Sequence, residues 1–336
     1  MTFKSRRIFD APHIRTLLAA AIGLGASAYL SRTMTRRAQA AHPPHGSFVS
    51  VDGVRLHYTR HGDPAHPALV VLHGNGTMGV EMELSGLVEM ATRSFHVVVF
   101  DRPGYGHSDR PKGRSYTPEA QAALISTAMR EIGIEYPIIL AHSWATLVAC
   151  RVALEAPASV RALVLVSGYY TPSLRLDTPL LGAPALPVVG TLMRHTLSPL
   201  LGRLMWPLAV KRIFAPARVT ETFKSRYPVW MSLRPLQLLA SSSEAAMMPL
   251  QAAKLMRRTA DLTVPTMIVA GEKDRLVMTS WQSKRLHERL AVAALRIVPG
   301  EGHMVHHTAT SAVMDAVDDA YELSKHRTSS GALQAA

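Results

Sequence analysis

Six short apolar runs, at 68–72, 97–100, 138–140, 162–166, 266–270 and 295–298, alternate with helical patterns near 80–92, 118–132, 144–156, 281–290 and 304–322. Near-continuous Val, Ile and Leu, without a polar residue at every second position, suits a strand covered on both faces. Alternation with helices then predicts an α/β class fold: a doubly wound, mostly parallel sheet. Segments 47–51 and 54–59, joined by Asp52-Gly53, read as a preceding β-hairpin. The alternation stops between Tyr169 and Asp261 and then resumes. An inserted helical lid at 171–260 explains the gap, with the sheet-bearing domain formed by 47–170 and 261–325. Residues 1–46 read as an N-terminal anchor or targeting segment with a Pro-rich linker, and 326–336 as a disordered tail. A chain of 336 residues, 48% hydrophobic, suits one domain with such an insertion.

In doubly wound sheets, ligands bind beyond the carboxyl ends of the strands. His73-Gly74-Asn75-Gly76 follows the first apolar run, and Asp101-Arg-Pro-Gly-Tyr-Gly-His-Ser108 the second. The third opens into Ala141-His142-Ser143-Trp144-Ala145, a strand turning into a helix with one serine at the apex. Such turns usually carry glycine on both sides of the Ser-containing triplet, and alanine stands at both positions here. Gly271-Glu272-Lys273-Asp274 and Pro299-Gly-Glu-Gly-His303 follow the last two runs. Serine, carboxylate and histidine thus occur in that chain order, each beyond its own strand. Glu272 is the neighbouring alternative to Asp274, and His306 and His307 lie within a turn of His303. After the fourth run, Ser167-Gly168-Tyr169 offers no carboxylate.

With these loops in register, the chain resembles the α/β-hydrolase superfamily across about residues 47–322. The runs Phe100-Asp-Arg-Pro-Gly-Tyr-Gly-His-Ser108 and Gly302-His-Met304 are similar to those of its lid-bearing esterase and epoxide-hydrolase branch. The resemblance implies Ser143 as nucleophile, His303 as base and Asp274 as the acid orienting it. It also implies an oxyanion hole from the backbone N–H groups of Asn75 and Trp144. The residue chemistry agrees: a serine hydroxyl needs a base within hydrogen-bond reach, and a carboxylate fixes the imidazole tautomer. His73, His142, Tyr105 and Tyr169 are candidate substrate-pocket residues, with loop packing the alternative for each. Asp101 reads as a loop brace. Epoxide hydrolases and haloalkane dehalogenases of this fold place an aspartate where Ser143 stands. The expected activity is therefore hydrolysis of an ester or thioester with an apolar acyl portion, without metal or organic cofactor. Amide or carbon–carbon bond hydrolysis, acyl transfer, and a catalytically silent binding scaffold are the competing expectations.

Charge narrows the partners. Of the formal net charge of +13, residues 1–40 carry +6 and residues 171–260 carry +9, leaving −2 for the rest. With no zinc-finger spacing or basic-aromatic alternation, nucleic acid is excluded as a partner. Lys4, Arg6, Arg7 and Arg15 precede an uncharged stretch, 16–31, and Arg32, Arg36 and Arg37 follow it. An uncleaved membrane segment is the expectation, a signal peptide cut near Ala38-Gln39-Ala40 or an organellar transit peptide the alternatives. The apolar runs 180–189 and 197–208, set among arginines, suggest contact with an anionic membrane surface. Cys150, the single cysteine, excludes an internal disulfide and reads as a small core residue.

Overall fold

A computed structural model describes residues 12–173 and 181–334. Residues 1–11, 174–180 and 335–336 lie outside the described residues, so Lys4, Arg6, Arg7 and the first residue of the run 180–189 are not placed.

Helix α1 (Pro12–Ala41) is followed by the hairpin β1 (Ser47–Val51) and β2 (Val54–His61). Asp52 (φ 48°) and Gly53 (φ 74°) both take positive φ, as a tight two-residue hairpin turn demands. Next come β3 (Ala68–Leu72), α2 (Gly79–Leu84), α3 (Leu87–Ala91), β4 (His96–Phe100), α4 (Pro118–Glu131), β5 (Ile138–His142), α5 (Ala145–Glu155) and β6 (Ala162–Val166). Between β6 and β7 the described residues form α6 (Val189–His195), α7 (Leu197–Phe214), α8 (Glu221–Arg226), α9 (Val229–Ser232) and α10 (Pro235–Met256). The chain returns through β7 (Thr266–Gly271), α11 (Ser283–His287), β8 (Ala293–Val298), α12 (Val305–Thr308) and α13 (Thr310–Gln334).

The eight strands lie in the order β1-β2-β4-β3-β5-β6-β7-β8, antiparallel across β1-β2-β4 and parallel from β4 to β8. Strands β4 to β7 are buried along their whole length. Their pleat divides the core in two. Val70, Leu72, Ile139, Leu163 and Ile268 face the layer holding α4 and α5. Leu69, Val71, Ile138, Val164 and Met267 face α2, α3 and α13. Each such side chain contributes about 1.5–3 kcal/mol on burial, so a one-residue slip in register would exchange the two cores and is strongly disfavoured.

One segment differs from the sequence expectation. Helix α13 continues to Gln334, through 326–334, where a disordered tail was expected. A helix already nucleated on the core gains one hydrogen bond per added residue, and no proline stops it. Helix α1 runs past Arg32, Arg36 and Arg37 to Ala41, and arginine is a good helix former.

Candidate active site

Strand β5 ends at His142 and α5 starts at Ala145, leaving Ser143 in the left-handed region with φ 55°. For a residue with a side chain this conformation costs about 1–3 kcal/mol and persists only where its surroundings over-determine it. Here Ser143 N–H donates to Val166 O at 2.9 Å, while the Thr146 N–H and hydroxyl both donate to Ser143 O. Ala141 and Ala145, in place of the usual glycines, are fully buried.

His303 sits in the loop between β8 and α12. Its Nε2 lies 3.1 Å from Ser143 Oγ, and its Nδ1 lies 2.8 Å from Asp274 Oδ2. The other Asp274 oxygen accepts the N–H groups of Leu276 and Val277, both at 2.9 Å, so the carboxylate is held from both ends. Asp274 and His303 are both buried. Glu272 turns away, accepting from Gly300 N–H. Among the described residues, the backbone N–H groups of Asn75 and Trp144 find no acceptor. The Asn75 side chain is pinned separately: Nδ2 donates to Ser241 O and Glu244 Oε2, and Oδ1 accepts from Ser241 Oγ. Ser143 and His303 open on a cavity of about 670 Å³, walled on one side by Leu181, Met205, Leu208, Ile213 and Met248.

Comparison with known proteins fits this architecture. A family model for the alpha/beta hydrolase fold matches residues 67–310. The chain belongs to that family. It is 35% identical over 120 residues to the dihydrolipoyllysine-residue acetyltransferase component of the acetoin cleaving system of Cupriavidus necator, across 36% of this chain and 31% of that one. It is 29% identical over 118 residues to epoxide hydrolase 1 of Caenorhabditis elegans, across 35% of this chain and 29% of that one. The chain therefore spans about three-tenths of the length of these curated relatives. Among solved structures, a membrane phospholipase A described as a bacterial virulence factor matches with a TM-score of 0.63 at 20% identity. That match covers 92% of this chain and 97% of the other, and shows the fold alone.

Within this hydrolase-fold chain, the four candidate pocket residues divide. His142 and Tyr169 line the cavity. His73 and Tyr105 do not line it and are loop-packing residues instead. His73 Nε2 accepts from Arg102 N–H and Nδ1 donates to Gly74 O, and burial followed by the Arg102 charge lowers its pKa to about 4. Tyr105 donates its hydroxyl to Glu244 Oε2 at 2.6 Å. Asp101 is a brace as expected, with Oδ1 accepting Gly79 N–H and Oδ2 accepting His107 N–H and His57 Nδ1–H.

Two buried networks were missed from sequence. Arg102 pairs with Glu244 of α10 through both terminal nitrogens, at 2.5 and 3.1 Å, and also donates to the carbonyls of His73 and Gly74. It thereby ties the helical segment between β6 and β7 to the loop carrying Asn75. Behind His303, Glu81 accepts from His306 Nε2 at 3.0 Å and His307 Nε2 at 2.8 Å, and its second oxygen lies 3.9 Å from His142 Nδ1. Burial works against ionisation of Glu81, yet the two histidines pull its carboxyl well below the usual range. Ligand atoms of Glu81, His142 and His306 lie within 4.8 Å of one another, a spacing compatible with a shared cation, although His306 and His307 already engage the carboxylate. No spacing motif marks either network, since each joins residues more than a hundred positions apart.

Proposed function

We propose that the protein is a serine hydrolase that cleaves an ester or thioester with an apolar acyl portion through an acyl-enzyme. The observation that carries this reading is the continuous relay from Ser143 Oγ through His303 to Asp274, at 3.1 and 2.8 Å, at the wall of a largely apolar cavity. Ser143 Oγ attacks the acyl carbonyl carbon while its proton passes to His303 Nε2. The carbonyl oxygen, now negative, is met by the unengaged N–H groups of Asn75 and Trp144; losing one such donor typically costs about 3–4 kcal/mol in the transition state. His303 returns the proton to the leaving oxygen or sulfur. A water, deprotonated by the same nitrogen, then releases the acyl group and restores Ser143. Asp274 keeps Nδ1 protonated so that Nε2 faces the serine.

A serine at the turn separates this chemistry from that of the relative named epoxide hydrolase 1, since epoxide hydrolases of this fold by family resemblance use an aspartate there. The helices between β6 and β7 act as a lid, since α7 and α10 supply Met205, Leu208, Ile213 and Met248 to the cavity. Helix α1 acts as a retained membrane anchor. From His13 to Ala41 it is long and apolar enough to cross a membrane, and its most apolar window is only 11% buried. Ser27 and Ser31 bond to Thr196 O, so the helix is also packed against the lid.

A fluorophosphonate probe tests the chemistry. Wild type is expected to label and Ser143→Ala to remain unlabelled. A folded wild-type sample that does not react would instead indicate a silent scaffold. A chain-length series of nitrophenyl esters, with thioesters and amides alongside, then reads the acyl preference.

A further inference from the structure

The helices above the cavity carry an apolar surface that no part of the described protein covers. On α7, Leu197, Leu201, Leu204, Met205 and Leu208 recur at intervals of three and four residues and form one stripe, with Leu204 75% and Leu201 55% exposed. Val188, Val189 and Leu192 extend it, Val188 being 82% exposed. Met205 and Leu208 belong both to this surface and to the wall of the Ser143 cavity, so the cavity meets the outside at the stripe. An exposed apolar patch of this continuity marks an interaction surface.

The position of α1 says what covers it. The bonds from Ser27 and Ser31 to Thr196 O join α1 to the α6–α7 junction at the end of its uncharged stretch, 16–31. Before that point Leu17, Leu18 and Ile22 are exposed on a helix that stands clear of the body. Immediately beyond it come Arg32, Arg36 and Arg37, all exposed. If α1 crosses a bilayer, the α6–α7 junction lies where hydrocarbon gives way to headgroups. Arg203, Lys211 and Arg212 on α7 are exposed and positively charged, complementary to lipid phosphates, and Arg212 also lines the cavity.

We propose that the exposed stripe of α7, with α6 and α1, is seated in the surface of a lipid bilayer, so that the Ser143 cavity opens toward the acyl chains and draws membrane lipid esters directly from it. The substrate part of this inference rests on the serine-hydrolase reading; the docking part does not.

A nitroxide placed by Leu204→Cys on the full chain, reconstituted in vesicles of equimolar phosphatidylcholine and phosphatidylglycerol, tests the docking. Cys150 is fully buried with its thiol pushed up to about 12, and stays unlabelled. Glu131→Cys, exposed at the end of α4 and leading into the start of β5, the end of that strand away from the Ser143 turn, is the aqueous control. The label at 204 is expected to collide with oxygen in preference to a water-soluble nickel chelate, and the label at 131 the reverse. A water-like reading at 204 overturns the proposal. Shielding from both reagents also overturns it and assigns the stripe to a second copy of the chain. Neither outcome depends on catalysis.

For the substrate arm, Leu201→Glu combined with Leu204→Glu, neither residue lining the cavity, is expected to label with fluorophosphonate and cleave a soluble short-chain ester as wild type does. Its hydrolysis of phospholipid in the same vesicles is expected to fall about tenfold or more. Undiminished vesicle hydrolysis overturns the proposal. Failure of wild type itself to label would remove the serine chemistry while leaving the depth result standing.

Discussion

Asp274 spends one carboxylate oxygen on the N–H groups of Leu276 and Val277 and the other on His303 Nδ1. The two roles separate under substitution. In Asp274→Asn the amide oxygen still accepts from the loop N–H groups, so the turn after β7 persists. The amide nitrogen, however, can only donate, and toward Nδ1 it favours the tautomer with the proton on Nε2, facing Ser143. That imidazole cannot accept the serine proton. We expect kcat to fall by about 10⁴ with KM little changed, by analogy with the tautomer argument for other triads. Steady-state kinetics on a nitrophenyl ester, with circular dichroism to show an intact fold, checks this. A loss of only a few-fold would mean that His303 is held by other contacts, such as the 3.2 Å approach of its backbone carbonyl to His142 Nε2.

At the scale of elements, α1 and the α6–α7 junction are joined by the two serine hydroxyls that share Thr196 O. Removing both with Ser27→Ala and Ser31→Ala takes away about 1 kcal/mol per hydrogen bond. Amide exchange in α6 and α7 is expected to accelerate, while β5 to β7 stay protected. Unchanged exchange in those helices would show the junction to be held by the packing of α1 on α6, α7 and α9 alone. This coupling was invisible in the sequence, where Ser27 and Ser31 look like ordinary residues of an apolar segment. The strands were legible because burial on both faces forces continuous runs such as His96–Phe100 and Ala162–Val166. Ser143, Asp274 and His303 were legible as candidates because each follows such a run. Glu81 was not: it shares α2 with Glu83, and nothing local distinguishes the carboxylate that faces His306 from the one that faces His61 and Thr59. Glu244 was hidden likewise, since its partner Arg102 lies 142 positions away.

For the whole molecule, these buried networks set how stability responds to acid. Burial, reinforced by Arg102, lowers His73 to about 4. Burial, with the nearby His306 and His303, depresses His142 well below its ordinary value. Both stay neutral in the fold at pH values where the unfolded chain, with histidine near 6.5, has already taken up protons. The unfolded state then binds more protons, so stability falls as pH drops below about 6.5. His73 alone accounts for about 3 kcal/mol by pH 4, an order-of-magnitude figure from 1.36 kcal/mol per pKa unit. Asp101 acts in a lower window. Burial opposes its ionisation, but the His57 hydrogen bond and charge outweigh that and hold it at about 2, so its contribution is present above about 3.8 and lost between there and 2. Both windows have the same sign, so stability should fall over two successive pH ranges. Thermal melts of the detergent-solubilised full chain are expected to show Tm constant from pH 8 to 7, falling between about 6.5 and 4, and falling again below about 4. A Tm that held level down to pH 4 would mean that His73 and His142 are protonated in the fold, in conflict with the N–H that Arg102 donates to His73 Nε2.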